Sequence, residues 1–293
     1  MVAALKPKPN NFSFLGFIQV TRFWNLLIIL LAQYFTAVFL IDTEQGLLFY
    51  LQDYHLFLLS LSSVLIAAAG YIINDYYDVK IDLINKPERV VVGKTLKRRI
   101  AMISHTVLNF TGVGLGVLLS YKIGVFNFVS ALLLWLYSNQ LKRMPFIGNV
   151  VVAFLTGLSI YIVGVLYHTT DILVISYSLF AFAFTLIREI IKDMEDLKGD
   201  ASFGCKTLPV VYGLRKTKIV IYILCVIFLV SLSMMAHLLV GPEMTYFCIG
   251  LILPLSALVY KLYVSDTVKD FNYLSNYCKV IMLLGILSMI FFK

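Results

Sequence analysis

Charge is scarce in this chain: 14% of its 293 residues are Asp, Glu, Lys or Arg, against 60% hydrophobic. A soluble domain carries roughly 25% charged residues, so this composition excludes an ordinary water-soluble globule. Alternating ten-residue strands are also missing, which excludes a membrane barrel; the apolar stretches are instead continuous and mostly about 20 residues long. Four cysteines, Cys205, Cys225, Cys248 and Cys278, form no close pair and read as small apolar filler. Four histidines, His55, His105, His168 and His237, are scattered, as packing or interfacial residues are and a metal cluster is not. No Gly/Ser linker, low-complexity tract or compositional break divides the chain, so residues 1–293 read as a single polytopic domain. The first 22 residues lack the pattern of a removable signal peptide, and 11–20 reads as a short apolar helix lying in the interface.

What the chain does have is nine apolar runs, at about 23–41, 57–73, 100–120, 126–138, 146–167, 172–190, 219–239, 244–262 and 273–292. A helix satisfies its own backbone hydrogen bonds in lipid, so each run predicts a spanning helix. Basic residues sort to one side. With the N-terminus inside, Lys6, Lys8, Arg22, the set from Lys80 to Arg99, Lys142, Arg143, the set from Arg188 to Lys218, Lys261 and Lys269 fall inside. Only Lys122 and Lys293 fall outside, and Lys279 lies within the last span. The net charge of +8 then reflects topology and attraction to anionic lipid headgroups, with no nucleic-acid partner implied.

Acidic residues gather in two places. Asp75, Asp78 and Asp82 follow the second run; Asp193, Asp196 and Asp200 follow the sixth. Both sets read D-x-x-D-x-x-x-D, and each member lies 118 positions after its counterpart, with four spans between. This spacing suggests a duplication of spans two to five as six to nine. If the second span continues as helix, Asn74, Asp78 and Asp82 share one face, separated by about 6 Å of rise per step. Asp193, Asp196 and Asp200 at i, i+3 and i+7 share a face likewise. Carboxylates clustered at membrane helix ends repel unless neutralised, and hard oxygen ligands select Mg²⁺ or Ca²⁺. Mg²⁺ characteristically takes a few carboxylates and completes its shell with water and phosphate oxygens. Two such clusters on one membrane face therefore point to metals bridging a diphosphate, with neighbouring Arg and Lys available to clamp it.

Asn74-Asp75-Tyr76-Tyr77-Asp78-Val79-Lys80-Ile81-Asp82, continued by Asn85-Lys86-Pro87-Glu88-Arg89, resembles the first motif of the UbiA superfamily of intramembrane prenyltransferases. Asp193, Asp196 and Asp200 resemble its second motif. Further likeness comes from Arg22 with Asn25, from Tyr137 through Lys142 to Gly148-Asn149, and from Lys206-Thr207-Leu208-Pro209.

The resemblance implies an all-α membrane protein of nine transmembrane helices around a central cavity, with cytoplasmic cap loops carrying both motifs. It implies Mg²⁺ held by Asn74, Asp75, Asp78, Asp82, Asp193, Asp196 and Asp200, and diphosphate contacts from Arg22, Asn25, Arg89, Lys142 and Lys206. The partners implied are a prenyl diphosphate donor, a lipophilic acceptor and the bilayer, and the chemistry is attack of the acceptor on an allylic carbocation. Asn85-Lys86-Pro87 is similar to the branch that prenylates glycerol-phosphate lipids, with geranylgeranylglycerol phosphate the implied acceptor. An aromatic, quinone-type or chlorophyll-type acceptor is the alternative. Val90-Val91-Val92-Gly93-Lys94 departs from the Pro-rich continuation common in the family. A secondary transporter is the rival of another class; it would place its polar site near the bilayer midplane, whereas these acids sit at span ends.

Overall fold

The computed structural model describes residues 14–41, 45–239 and 242–292, with the side chains of 235–248 outside that description. Lys6, Lys8 and Lys293 of the charge argument lie outside the described residues, as do the side chains of His237 and Cys248. Among the described residues the chain is helical throughout, apart from loops and one isolated bridge between Val92 and Leu96.

A short helix α1 (Phe14–Val20) precedes α2 (Phe23–Thr36), which runs on through a π-helical turn, Ala37–Ile41. The six-residue α3 (Leu47–Gln52) leads to α4 (Tyr54–Asn85), 32 residues long. Then come α5 (Arg98–Leu119), α6 (Tyr121–Asn139), α7 (Ile147–Leu166) and α8 (Ile172–Glu195). The short α9 (Leu197–Ser202) is followed by α10 (Leu208–Leu239), α11 (Pro242–Val264) and α12 (Val268–Ser288). Eight of these helices are long and apolar enough to cross a membrane; in α11 the apolar stretch Ile249–Val264 is shorter. The fourth run, short in sequence, gains its length by recruiting Tyr121–Val125. The chain is an integral, multi-pass helical membrane protein.

The helices close into a ring. α4 packs against α2, α5 and α6; α7 joins α6 to α8; α12 packs on α8 and returns to α2. Close approaches use glycine: a Cβ on Gly157 of α7 would lie 2.8 Å from the Ser178 carbonyl of α8. α8 is the most enclosed span, its Phe180 and Phe184 packed with Phe228 of α10. Phe110, Leu118 and Leu253 are more than three-quarters exposed, as lipid-facing side chains should be.

The α4–α5 loop explains the Val90-Val91-Val92 departure. Val91, Val92 and Leu96 are buried against Val20, Ile72 and Ala101. Burial of each such side chain is worth about 1.5–3 kcal/mol, which fixes the loop on the ends of α1 and α4. Gly93 turns it at φ 90° and donates its N–H to the Leu96 carbonyl at 2.8 Å.

Candidate functional site

No Pro or Gly interrupts the chain from Tyr71 to Lys86, so α4 continues beyond its apolar stretch and carries Asn74, Asp78 and Asp82 on one helical face. It stops at Lys86 (φ −147°, ψ 62°), because the residue before Pro87 is sterically driven out of the helical region. The second aspartate set differs from the expectation of one continuous helix. α8 ends at Glu195, and Asp196 (φ −90°, ψ 5°) is the hinge from which α9 starts in a new direction. Asp193 therefore belongs to α8 and Asp200 to α9. Asn85 closes the join: its Nδ2 donates to the Asp196 carbonyl at 3.0 Å, and its Oδ1 accepts from the Gly199 N–H at 2.8 Å.

These ends enclose a chamber of about 730 Å³. Seven carboxylates line it: Asp75, Asp78, Asp82, Asp193, Glu195, Asp196 and Asp200. Seven cations line it as well: Arg22, Lys86, Arg89, Lys142, Arg188, Lys192 and Lys279. Many are paired. Arg22, held in the left-handed region at φ 53°, places its guanidinium 3.0 Å from Asp75 Oδ1 and over the Tyr71 ring. Lys142 pairs with Asp78, and Asn149 Nδ2 donates to Asp193 Oδ2 at 2.8 Å. Lys86 Nζ reaches both Glu195 Oε1 (2.9 Å) and Asp196 Oδ1 (2.8 Å). Deeper, Glu189 takes Arg188 and Lys192 as partners, the latter at 3.6 Å.

The donor set suits a hard cation. Asn74 Oδ1 is buried with no hydrogen-bond partner, an uncompensated oxygen beside Asp78 on the chamber wall. Burial pushes the Asp200 carboxyl up to about 7, reinforced by Asp196 and Asp78 and opposed by Lys192 and the Thr207 hydroxyl. Among the described residues no three His, Cys, Asp or Glu side chains form a ready-made cage.

A second, mainly apolar pocket of about 240 Å³ extends into the ring from the same place. Ile28, Ile29, Ile66, Leu134, Leu155, Leu158 and Ile162 line it, and it shares Arg22, Asn25, Asn74, Tyr137, Arg188, Lys192 and Lys279 with the chamber. The space thus runs from a charged mouth to an apolar interior.

All seven metal-type candidates named from sequence border the chamber or its shared wall, as do Arg22, Asn25, Arg89 and Lys142. Lys206 does not; its side chain is exposed, and its backbone N–H donates to the Arg143 carbonyl at 2.9 Å. Lys86, Asn149, Arg188, Lys192 and Asn272 were not among the candidates, yet line the space. Arg188 and Lys192 had a legible signal, two cations at i and i+4 in the last turns of a span. Lys86 was legible only as part of the Asn85-Lys86-Pro87 continuation, with no contact assigned to it.

The profile of the UbiA prenyltransferase family matches residues 26–272. Digeranylgeranylglyceryl phosphate synthase of Methanosphaera stadtmanae is 37% identical over 176 residues, covering 60% of this chain and 64% of that protein. The Saccharolobus solfataricus protein of the same name is 33% identical over 226 residues, 76% of this chain and 79% of its own length. The first alignment thus spans just under two thirds of its relative. Among solved structures, a UbiA homologue from Archaeoglobus fulgidus bound to GPP and Mg²⁺ superposes with TM-score 0.73 at 18% identity, covering 94% of this chain and 98% of that one. A digeranylgeranylglyceryl phosphate synthase structure superposes with TM-score 0.67 at 24% identity, covering 94% and 96%. At these identities the superpositions establish the fold.

Proposed function

The chain belongs to the UbiA prenyltransferase family, and from that premise we propose that it transfers an isoprenyl group from a prenyl diphosphate to the hydroxyl of a phosphate-bearing lipid alcohol. The donor is geranylgeranyl diphosphate and the acceptor geranylgeranylglyceryl phosphate, by analogy with the synthases it is similar to. One observation carries this reading: both aspartate motifs line a single chamber that opens directly into an apolar pocket. A diphosphate with a long hydrocarbon tail needs both compartments at once. A midplane transport site would need neither the paired motifs nor the charged mouth.

In this reading Asn74, Asp78 and Asp82 from one side, with Asp193, Asp196 and Asp200 from the other, hold Mg²⁺. Bound there, Mg²⁺ supplies Lewis acidity to the departing diphosphate oxygens. Lys142 and Arg22 stand on Asp78 and Asp75, so each can turn to a phosphate oxygen without crossing the chamber. Arg89, at the rim and without a carboxylate partner among the described residues, receives the diphosphate as it enters. The apolar pocket holds the prenyl tail, excludes water and so protects the allylic cation from hydrolysis. Tyr71 and Tyr137 lie on its wall, where an aromatic ring can stabilise that positive charge. The excess of Lys and Arg in the segments around the chamber supports a cytoplasmic mouth with the N-terminus inside.

The test is incubation of the purified protein with labelled prenyl diphosphates of several lengths against a small acceptor panel, with Mg²⁺ or with EDTA. A Mg²⁺-dependent ether product from geranylgeranylglyceryl phosphate, and none from 4-hydroxybenzoate, is the expected result. The reverse selectivity would assign an aromatic acceptor instead.

A further inference from the structure

α12 carries a polar stripe that neither aspartate motif accounts for. Asn272, Ser275, Asn276 and Lys279 lie at i, i+3, i+4 and i+7, a single helix face, and all four line the chamber. One turn further in, Met282 continues the same face into the apolar pocket. The stripe is held from the mouth side: Asn276 Nδ2 donates to Asn272 Oδ1 at 3.2 Å, and Asn272 Nδ2 to Glu195 Oε1 at 2.9 Å. Glu195 in turn holds Lys86. The face is therefore fixed in register with the join between the two motifs.

Its inner member is the unusual one. Of the seven cations lining the chamber, Arg22, Lys86, Lys142, Arg188 and Lys192 each have a carboxylate partner within 4.0 Å. Arg89 and Lys279 have none among the described residues, and Arg89 is exposed at the rim while Lys279 is half-buried where the two compartments meet. Lys279 shares the chamber wall with Arg188, Lys192, Arg22 and Arg89, all of its own sign. A half-buried ammonium among like charges is unfavourable unless an anion arrives to meet it. A lysine that merely snorkelled would turn to the interface; this one borders the charged mouth and the apolar pocket together.

The donor's diphosphate is already provided for by the aspartate motifs with Arg22, Arg89 and Lys142. We infer that the α12 face Asn272–Lys279 is the headgroup subsite for the acceptor, with Lys279 binding its phosphate monoester and Asn276 and Ser275 bonding its polar oxygens. This rests on the function proposed above and names the residues that would make a phosphate-bearing acceptor preferred. The order along the face, polar to charged to apolar, matches a lipid lying along α12 with its tail directed past Met282. Anchoring the phosphate there holds the acceptor's free hydroxyl near the donor's reacting carbon, between the two compartments.

The test uses the full-length protein in nanodiscs, with geranylgeranyl diphosphate as donor. Geranylgeranylglyceryl phosphate and its dephosphorylated alcohol serve as paired acceptors. The wild type should prefer the phosphate form. Lys279→Met should lower the ratio of kcat/KM values for the two acceptors by about tenfold to a hundredfold, the worth of one charge-assisted hydrogen bond, with donor KM within twofold. Lys279→Arg should keep most of the preference. An unchanged ratio in Lys279→Met overturns the inference. So does a donor KM that rises by the same factor, since Lys279 would then belong to the diphosphate clamp. Should Lys279→Met not fold, Asn276→Leu must lower the ratio in the same direction, and an unaltered ratio there overturns the inference equally. A wild type that prenylates neither acceptor sinks the proposed function itself; a wild type active on both, with the ratio insensitive to these variants, sinks only the subsite.

Discussion

Lys86 Nζ lies 2.8 Å from Asp196 Oδ1, so the residue that ends the first aspartate helix neutralises the hinge of the second. Glu195 shares the same ammonium at 2.9 Å. The two motifs are thus coupled through the protein's own cation before any ligand is considered. Replacing Lys86 with Met leaves two partly buried carboxylates uncompensated, which costs about 1–3 kcal/mol. The variant should melt several degrees lower in EDTA and regain most of that loss in Mg²⁺. An equal deficit in both media would show that Lys86 does not share its role with the metal.

Gly199 supports the same join from the other side. A Cβ there would lie 2.4 Å from Asn85 Nδ2, the atom that bonds the Asp196 carbonyl. Gly199→Ala should displace Asn85, loosen α9 from α4 and reduce prenyl transfer at least tenfold while membrane insertion persists. Steady-state rates set against detergent-solubility profiles separate these effects. Wild-type turnover in the alanine variant would remove the clip from the mechanism.

Asp78→Ala and Asp196→Ala should each abolish Mg²⁺-dependent release of diphosphate, with expression unchanged. Both residues face the chamber, and neither buries an apolar surface that folding depends on. Diphosphate release by purified variants is the measurement; full turnover in either counts against the site.

Asp200 sets a pH dependence. Its carboxyl, pushed up to about 7 by burial and by Asp196 and Asp78, holds a proton in the folded protein that the unfolded chain releases near pH 4. Between those values the native state binds more protons, so this group's contribution to metal-free stability falls as pH rises. In the proposed site Asp200 binds Mg²⁺ in its ionised form, so Mg²⁺ affinity should fall as pH drops below about 7. Thermal shifts induced by Mg²⁺ at pH 5.5 and 8 test this. The pH dependence should flatten in Asp200→Asn; a wild-type shift that does not change with pH would contradict it.

Leu155 lies on the wall of the apolar pocket. Leu155→Trp takes up space that a long tail requires, so the preference for geranylgeranyl over dimethylallyl diphosphate should fall about tenfold, a change worth ~1.4 kcal/mol. Competition between the two donors, read by product mass, measures it.

How much of this was legible beforehand differs from one feature to the next. The membrane class, the approximate spans and the two aspartate sets could be read because they depend on local composition and on a repeated spacing along one chain. A run of apolar residues long enough to cross lipid has few alternatives to a helix. The continuation of α4 through Asp82 was also open to sequence, since nothing between Tyr71 and Lys86 breaks a helix. The hinge at Asp196 was not: no Pro or Gly marks it, and it exists because Asn85, 111 positions away, bonds its carbonyl.

The pairings followed no sequence rule either. Lys142 rather than Lys206 reaches the chamber, and Lys86 rather than a more distant lysine binds the hinge, because helix packing decides which cation stands opposite which carboxylate. Sequence left Lys279 between two roles, snorkelling to the inner interface or approaching the acceptor or diphosphate; the packing of α12 on α8 puts it on the wall of the charged mouth. Local sequence set the elements and the chemistry they carry, since both arise between near neighbours in the chain. The fold alone chose the partners, since Coulomb attraction and hydrogen bonding act over a few ångströms and only tertiary packing brings such distant residues that close.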